Sequence, residues 1–221
     1  MDFPLSTAYE RSFVMLGDTI AAVSTPRGKG GVALLRVSGP DAVRIAARVF
    51  RPKNGRTLAE VSPRTAVYGE ILSPETNGEW LPVDDGIATV FYAPASFTGE
   101  DTVELCCHGG MLLTETVLTA LLTAGARPAE AGEFTRRAFL NGKLGLSSAE
   151  ALGNVLEAGT HEQLKLAHAG LGGKVEARCQ EIYARLRSVL ASIYVKIDYP
   201  DEDLADMSRE EIAEAFLHCE A

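Results

Sequence analysis

The sequence predicts an α+β protein: a mixed-sheet domain followed by an all-helical bundle segment. Two observations carry that reading. Over the first two-thirds of the 221 residues, short β-like runs alternate irregularly with helical stretches. After about Asn141 the texture becomes continuous helix, with apolar residues at helical spacing. The predicted divisions are an N-terminal extension over 1–16, a sheet domain over 17–141 and a partial helical domain over 142–221.

The elements follow in order. Thr19–Val23 and Val32–Val37 read as strands, separated by Pro26-Arg-Gly-Lys-Gly-Gly31, whose glycines permit a tight loop. Pro40–Phe50 reads as an amphipathic helix with Val43, Ala46, Ala47 and Phe50 on one stripe. Strands are expected at Thr65–Leu72, Gly86–Tyr92 and Thr102–Cys107, with the turn-rich Ser73–Gly78 as a loop between the first two. Gly109-Gly110 opens a helix over Met111–Ala124 that Gly125 closes. A short helix then ends in Asn141-Gly142 and delivers Lys143 at the turn.

In the helical part, Ser147-Ser-Ala-Glu150 has the form of a capping box with Ser147 as cap. From Val175 the spacing is close to a heptad through Cys179, Ile182, Leu186, Val189, Ile193 and Ile197, a stripe that needs a partner helix or a bundle core. Tyr199-Pro200 is expected to break that helix. Ser208-Arg-Glu-Glu211 is a second capping box, for a last helix that runs off the end of the sequence, as expected of part of a larger protein.

Composition narrows the function. A hydrophobic content of 46% is ample for a core, while a net charge of −9 argues against a stand-alone nucleic-acid clamp, which needs a basic face. The acid is concentrated from Asp198 to Ala221, where Arg209 is the sole Lys or Arg, and a run of this kind reads as a solvated helix face. Cys106 and Cys107 are adjacent and point to opposite faces of a strand, and there is no C-x-x-C spacing, which argues against a metal site. No secretory signal and no apolar run of spanning length is present, so a cytoplasmic protein with reduced thiols is expected.

Several chemistries lack their motif. There is no G-x-x-x-x-G-K-[ST] phosphate loop and no G-x-S-x-G elbow. Gly28-Lys29-Gly30-Gly31 is either a tight turn or an anion contact. His108, at the end of the strand bearing Glu104, is either a hydrogen-bonded strand-end histidine or a proton-transfer group. The positive case rests on Arg36 within Leu-Leu-Arg-Val, Glu104 within Val-Glu-Leu, and Lys143. Alternation aims Glu104, Thr102 and Cys106 to one face, and a half-buried carboxylate needs partners. Two readings stay open. Arg36 and Glu104 can form an internal ion pair between adjacent strands. Alternatively they line a pocket in which the carboxylate accepts paired N–H donors from a flat heterocycle, such as a pterin, while basic groups hold an anionic tail.

The runs Gly31-Val-Ala-Leu-Leu-Arg-Val-Ser-Gly39, Phe97-Thr-Gly-Glu-Asp-Thr-Val-Glu104 and Phe134-Thr-Arg-Arg-Ala-Phe-Leu-Asn-Gly-Lys143 resemble the N-terminal part of the tRNA modification GTPase family MnmE, also called TrmE, from about Asp18 to Asp203. The resemblance implies a domain similar to the tetrahydrofolate-binding domain of aminomethyltransferases, with Arg36, Glu104 and Lys143 as folate contacts. It implies 5-formyl-tetrahydrofolate or 5,10-methylene-tetrahydrofolate as the one-carbon carrier and a homodimer formed through the N-terminal domain. It further implies a FAD-containing MnmG-like partner and modification of C5 of the wobble uridine of tRNA. GTP, magnesium and potassium belong to a G domain that the resemblance places after this stretch, and the family's C-terminal cysteine is not Cys219. Ala131, Gly145, Ser148 and Asn154 depart from the family pattern. Gly145 is expected to cost about 1 kcal/mol in a helix start and to forgo a helix-dipole carboxylate. The competing readings are a stand-alone folate-dependent aminomethyltransferase relative and a purely structural dimerisation scaffold.

Overall fold

In the computed structural model, residues 17–198 and 207–220 are described. The chain divides into two compact units, one ending at Leu144 and one beginning at Gly145. The N-terminal extension and the Tyr199-Pro200 helix break lie outside the described residues.

The first unit is built on a seven-stranded sheet of order β3-β4-β5-β6-β2-β1-β7. Its strands are β1 Ile20–Val23, β2 Val32–Ser38, β3 Phe50–Pro52, β4 Ala66–Pro74, β5 Trp80–Phe91, β6 Thr102–His108 and β7 Arg127–Pro128. All pairings are antiparallel except β1 with β7, so the sheet is mixed, as expected. Period-two alternation sorts the two faces. Ala33, Leu35 and Val37 of β2 and Val103, Leu105 and Cys107 of β6 point into the core, which α1 (Ala42–Val49) and α2 (Met111–Thr123) cover. Leu35, Ile45 and Leu121 are fully buried there, each contributing about 1.5–3 kcal/mol relative to exposure. The opposite face carries Arg36 and Glu104, and above it lie α3 (Glu133–Leu140) and the 92–101 loop.

Three details differ from the sequence reading. α1 ends at Val49 and Phe50 starts β3, so the helix's own buried stripe is Ala42, Ile45, Ala46 and Val49; of the expected Val43, Ala46, Ala47 and Phe50, Ala46 and Phe50 are buried, Val43 is half-buried and Ala47 is exposed. In an alanine-rich helix of two turns, neighbouring stripes are hard to tell apart by hydrophobicity. β4 and β5 are longer than expected and meet at a tight Glu75–Gly78 turn, where Gly78 N–H donates to Glu75 O at 2.9 Å. The short edge strands β3 and β7 were not anticipated.

The second unit contains α4 Leu146–Glu157, α5 His161–Leu171, α6 Lys174–Asp198 and α7 Arg209–Glu220. α4 packs on α5, and α6 packs on α4 and α7. The capping box expected at Ser147 is not formed. Gly145 is the N-cap, which places Ser147 inside the first turn with its hydroxyl buried and unpartnered among the described residues. Gly145 is therefore not an interior helical glycine. A Cβ there would collide with the Glu176 carboxylate, so Glu176 places a carboxylate at the α4 N-terminus. The second box is formed: Ser208 N–H donates to Glu211 at 2.7 Å and Glu211 N–H to Ser208 Oγ at 3.1 Å. A further box, Thr160 with Gln163, opens α5. Of the α6 stripe only Val189 is buried, while Val175, Leu186, Ile193 and Ile197 stay exposed among the described residues.

Candidate functional site

Arg36 and Glu104 are direct cross-strand partners on β2 and β6, with Thr89 of β5 opposite Glu104 on the other side. Arg36 Nε and Nη2 donate to Glu104 Oε1 at 2.9 and 2.7 Å. Both side chains are roughly a fifth exposed, 22% and 23%, so the pair is neither sealed nor fully solvated. Glu104 Oε2 has no partner among the described residues and remains an open acceptor. The Arg36 guanidinium also lies 5.1 Å from the Phe97 ring centroid and 5.5 Å from that of Phe134. Such contacts are worth about 0.5–1 kcal/mol each and hold the guanidinium plane in place.

Lys143 reaches the same loop from a different direction. α3 ends at Leu140 with Asn141 as its C-cap, Gly142 turns the chain at φ 68°, and Lys143 Nζ donates to Pro94 O at 2.9 Å. Asn141 Nδ2 donates to Thr98 O at 2.8 Å. Between them, Gly99 adopts φ 80°, and a Cβ there would lie 3.0 Å from Asn141 Cβ and 3.1 Å from Lys143 Cγ. The 92–101 loop thus carries Phe97 to Arg36 and is pinned on either side of it, at Thr98 by Asn141 and at Pro94 by Lys143. Arg36 and Glu104 are in contact; Lys143 is tied to the loop that closes over them.

A buried ionic network fixes this loop against α3. Arg137, 3% exposed, donates to Glu100, to Glu133 and to both the carboxylate and the carbonyl oxygen of Asp18. Glu133, 1% exposed, accepts from Arg127 Nη2 at 2.7 Å and from the Glu130 N–H at 2.8 Å. Burial pushes the Glu133 carboxyl up, but the Arg127, Glu130 and Arg137 hydrogen bonds outweigh it and hold the group down at about 2. Burial acts the same way on Asp18, and Arg127 and Arg137 lower it in net. Ser38 Oγ completes the network, lying 2.7 Å from Thr98 Oγ1 and donating to Glu100 at 2.8 Å. Neither these roles nor those of Phe97 and Phe134 were assigned from the sequence. A readable signal was the presence of Arg and Glu one turn apart in α3, at 133 and 137.

His108 is a hydrogen-bonded strand-end residue: Nδ1 lies 2.7 Å from Asp84 Oδ1 and its backbone N–H donates to Oδ2 at 2.9 Å. Cys107 is buried, and burial, with Asp84 and Cys106 adding to it, pushes its thiol up to about 11. The arrangement around Arg36 offers an open carboxylate acceptor, a clamped guanidinium and two aromatic walls, a set suited to recognising a flat polar ring.

Fold and site together define a class: a mixed-sheet domain, with a charged pair on the face opposite α1 and α2, followed in sequence by an all-helical domain. The family model described as the GTP-binding protein TrmE N-terminus matches residues 19–143, and that of the MnmE helical domain matches residues 146–221. A tRNA modification GTPase MnmE from Carboxydothermus hydrogenoformans is 43% identical over 196 residues, 89% of this chain and 42% of that protein. Those from Geobacter metallireducens and Thermotoga petrophila are 44% and 46% identical, over 89% and 84% of this chain and 42% and 39% of their own lengths. The chain belongs to the tRNA modification GTPase MnmE family. It spans about two fifths of the length of these curated relatives. Among the described residues no helix is long and apolar enough to cross a membrane.

Proposed function

We propose that residues 17–141 bind a reduced folate, 5-formyl-tetrahydrofolate or 5,10-methylene-tetrahydrofolate, and that residues 142–221 are the partial helical domain joined to it. The observation that carries this reading is the open Oε2 of Glu104 beside a guanidinium clamped by Phe97 and Phe134. A pterin edge donates its paired N–H groups to Glu104, its ring lies against the aromatic walls, and its glutamate tail is drawn to Lys143 and Arg36. Each hydrogen bond to the carboxylate contributes about 1.5–3 kcal/mol when the ring is bound.

In this reading the parent protein is cytoplasmic and carries out GTP-dependent modification of C5 of the wobble uridine of tRNA with an MnmG-like FAD protein. The present residues supply the one-carbon carrier, and GTP, magnesium and potassium belong to a G domain outside them. The chain pairs with a second copy through its N-terminal domain. The support for that is the sheet face bearing the paired residues Tyr68 and Ile87, which are 54% and 43% exposed.

Calorimetry with 5-formyl-tetrahydrofolate tests the site. Glu104→Ala is expected to weaken binding at least tenfold, about 1.4 kcal/mol. Equal affinity in wild type and variant overturns the pocket and leaves Arg36–Glu104 as a brace between strands.

A further inference from the structure

A cavity of about 460 Å³ opens at the far end of β1 and β2, between the glycine-rich loop 24–31 and the start of α2. It lies on the helix-covered face of the sheet. Val23, which pairs with Leu35, and Ala33 form part of its floor, together with Met111 and Leu118 of α2. Arg36 projects from the opposite face, so the cavity and the Arg36–Glu104 site are separate.

Its walls are built from the loop motif that the folate reading does not use. Gly30 N–H donates to Gly109 O at 3.0 Å and Gly109 N–H to Gly31 O at 3.3 Å, a reciprocal pair that staples the loop onto the residues opening α2. A Cβ on Gly109 would lie 2.5 Å from Gly30 O, so this approach requires glycine at 109. The stapled loop carries Arg27 and Lys29 to the cavity, and neither has a counter-ion among the described residues. α2 begins at Met111 behind its N-cap Gly110, with no side-chain cap and no acidic residue in its first turn, so its dipole adds positive potential at this end. In a chain of net charge −9, this is a local concentration of positive potential around an apolar floor.

We propose that this cavity is a second ligand site, for a small organic anion with an apolar body. Its volume falls within the range typical of small-molecule sites, roughly 300–1,000 Å³. Arg27, Lys29 and the α2 N-terminus recognise the anionic end, while Val23, Ala33, Met111 and Leu118 take the apolar part. Glu115, on the same wall, sets the limit. It repels a second negative charge, which selects a monoanion over an extended polyanion such as a nucleic-acid backbone.

The test is a fluorescence titration of the 221-residue chain with 8-anilinonaphthalene-1-sulfonate, an aromatic monoanion. Saturable single-site binding is expected, at least fivefold weaker in the Arg27→Ala/Lys29→Ala double variant and about two- to fivefold tighter in Glu115→Gln. All three positions are exposed, so the variants retain the fold, and melting by circular dichroism checks this. Glu104→Ala should leave the titration unchanged, which separates this site from the folate reading. Non-saturable fluorescence, affinities equal within twofold across the Arg27/Lys29 and Glu115 variants, or loss of binding in Glu104→Ala each overturns the proposal.

Discussion

Arg36 spends two N–H groups on a single oxygen of Glu104, leaving the second oxygen of that carboxylate without a partner among the described residues. The guanidinium is planar, and its two donors and its contacts with Phe97 and Phe134 all depend on that shape. A lysine at 36 keeps the charge but cannot make both donor contacts and lie against both rings. Arg36→Lys is therefore expected to lower the unfolding free energy by about 1–2 kcal/mol, read from urea denaturation. A loss smaller than about 0.3 kcal/mol, on the order of the error of such measurements, would show that the planar shape of the guanidinium contributes nothing to the fold.

The Glu133–Arg127–Arg137 cluster makes a stronger claim on stability. Removing one partner from a buried ionic set leaves charge uncompensated, at a cost of about 3–5 kcal/mol, so Glu133→Ala should lose most of that amount at pH 7. The pH dependence follows from the direction of the shift. Glu133 is held at about 2, below its ordinary value of 4.5, so its contribution is complete above about 4.5 and drains away as pH falls towards 2. Acid titration of stability should be steeper below pH 4.5 in wild type than in Glu133→Gln. Parallel curves would contradict the burial and pairing described for this carboxylate.

Cys107 behaves in the opposite sense. Its thiol, raised to about 11 from 9.0, binds its proton more tightly in the folded chain, so its stabilisation is present below pH 9 and lost as pH rises through 11. At pH 8, iodoacetamide should modify exposed Cys179 in the native protein and reach Cys107 only on unfolding, as mass spectrometry of the peptides would show. Rapid native labelling at Cys107 would be incompatible with its burial.

The departure at Gly145 yields a paired prediction. Introducing an aspartate at this N-cap, Gly145→Asp, brings a second carboxylate against Glu176 at the α4 N-terminus. We expect a loss of about 0.5–1 kcal/mol for the single variant, recovered in Gly145→Asp/Glu176→Gln, where one carboxylate again faces the helix end. A single variant as stable as wild type would remove Glu176 from that role.

How far the sequence discloses this molecule depends on the range of the interaction. Alternation in Val32–Ser38 and Thr102–His108 is local, and it places Arg36 and Glu104 on definite faces before any pairing is known. The register that sets them opposite each other is a property of two segments 68 residues apart and leaves no local mark. The same is true of Phe97 and Phe134, which read as ordinary loop and helix aromatics until both are seen against one guanidinium. Strands β3 and β7 have three and two residues, too few for a period to show. The misplaced cap at Ser147 has a different cause. The motif is present, but Gly145 caps the helix two residues earlier, so Ser147 is a helical residue of the first turn rather than the cap, and its hydroxyl is left without a partner among the described residues.

Both outermost strands of the sheet end in proline, Pro52 on β3 and Pro128 on β7. A ring nitrogen cannot donate, and so short a margin gives an incoming strand almost nothing to template upon. Lateral growth of the sheet into a ribbon shared between molecules is thereby disfavoured along those two short strands. An association of this domain that runs through side chains rather than these margins is answerable to their mutation in a way that backbone zippering would not be.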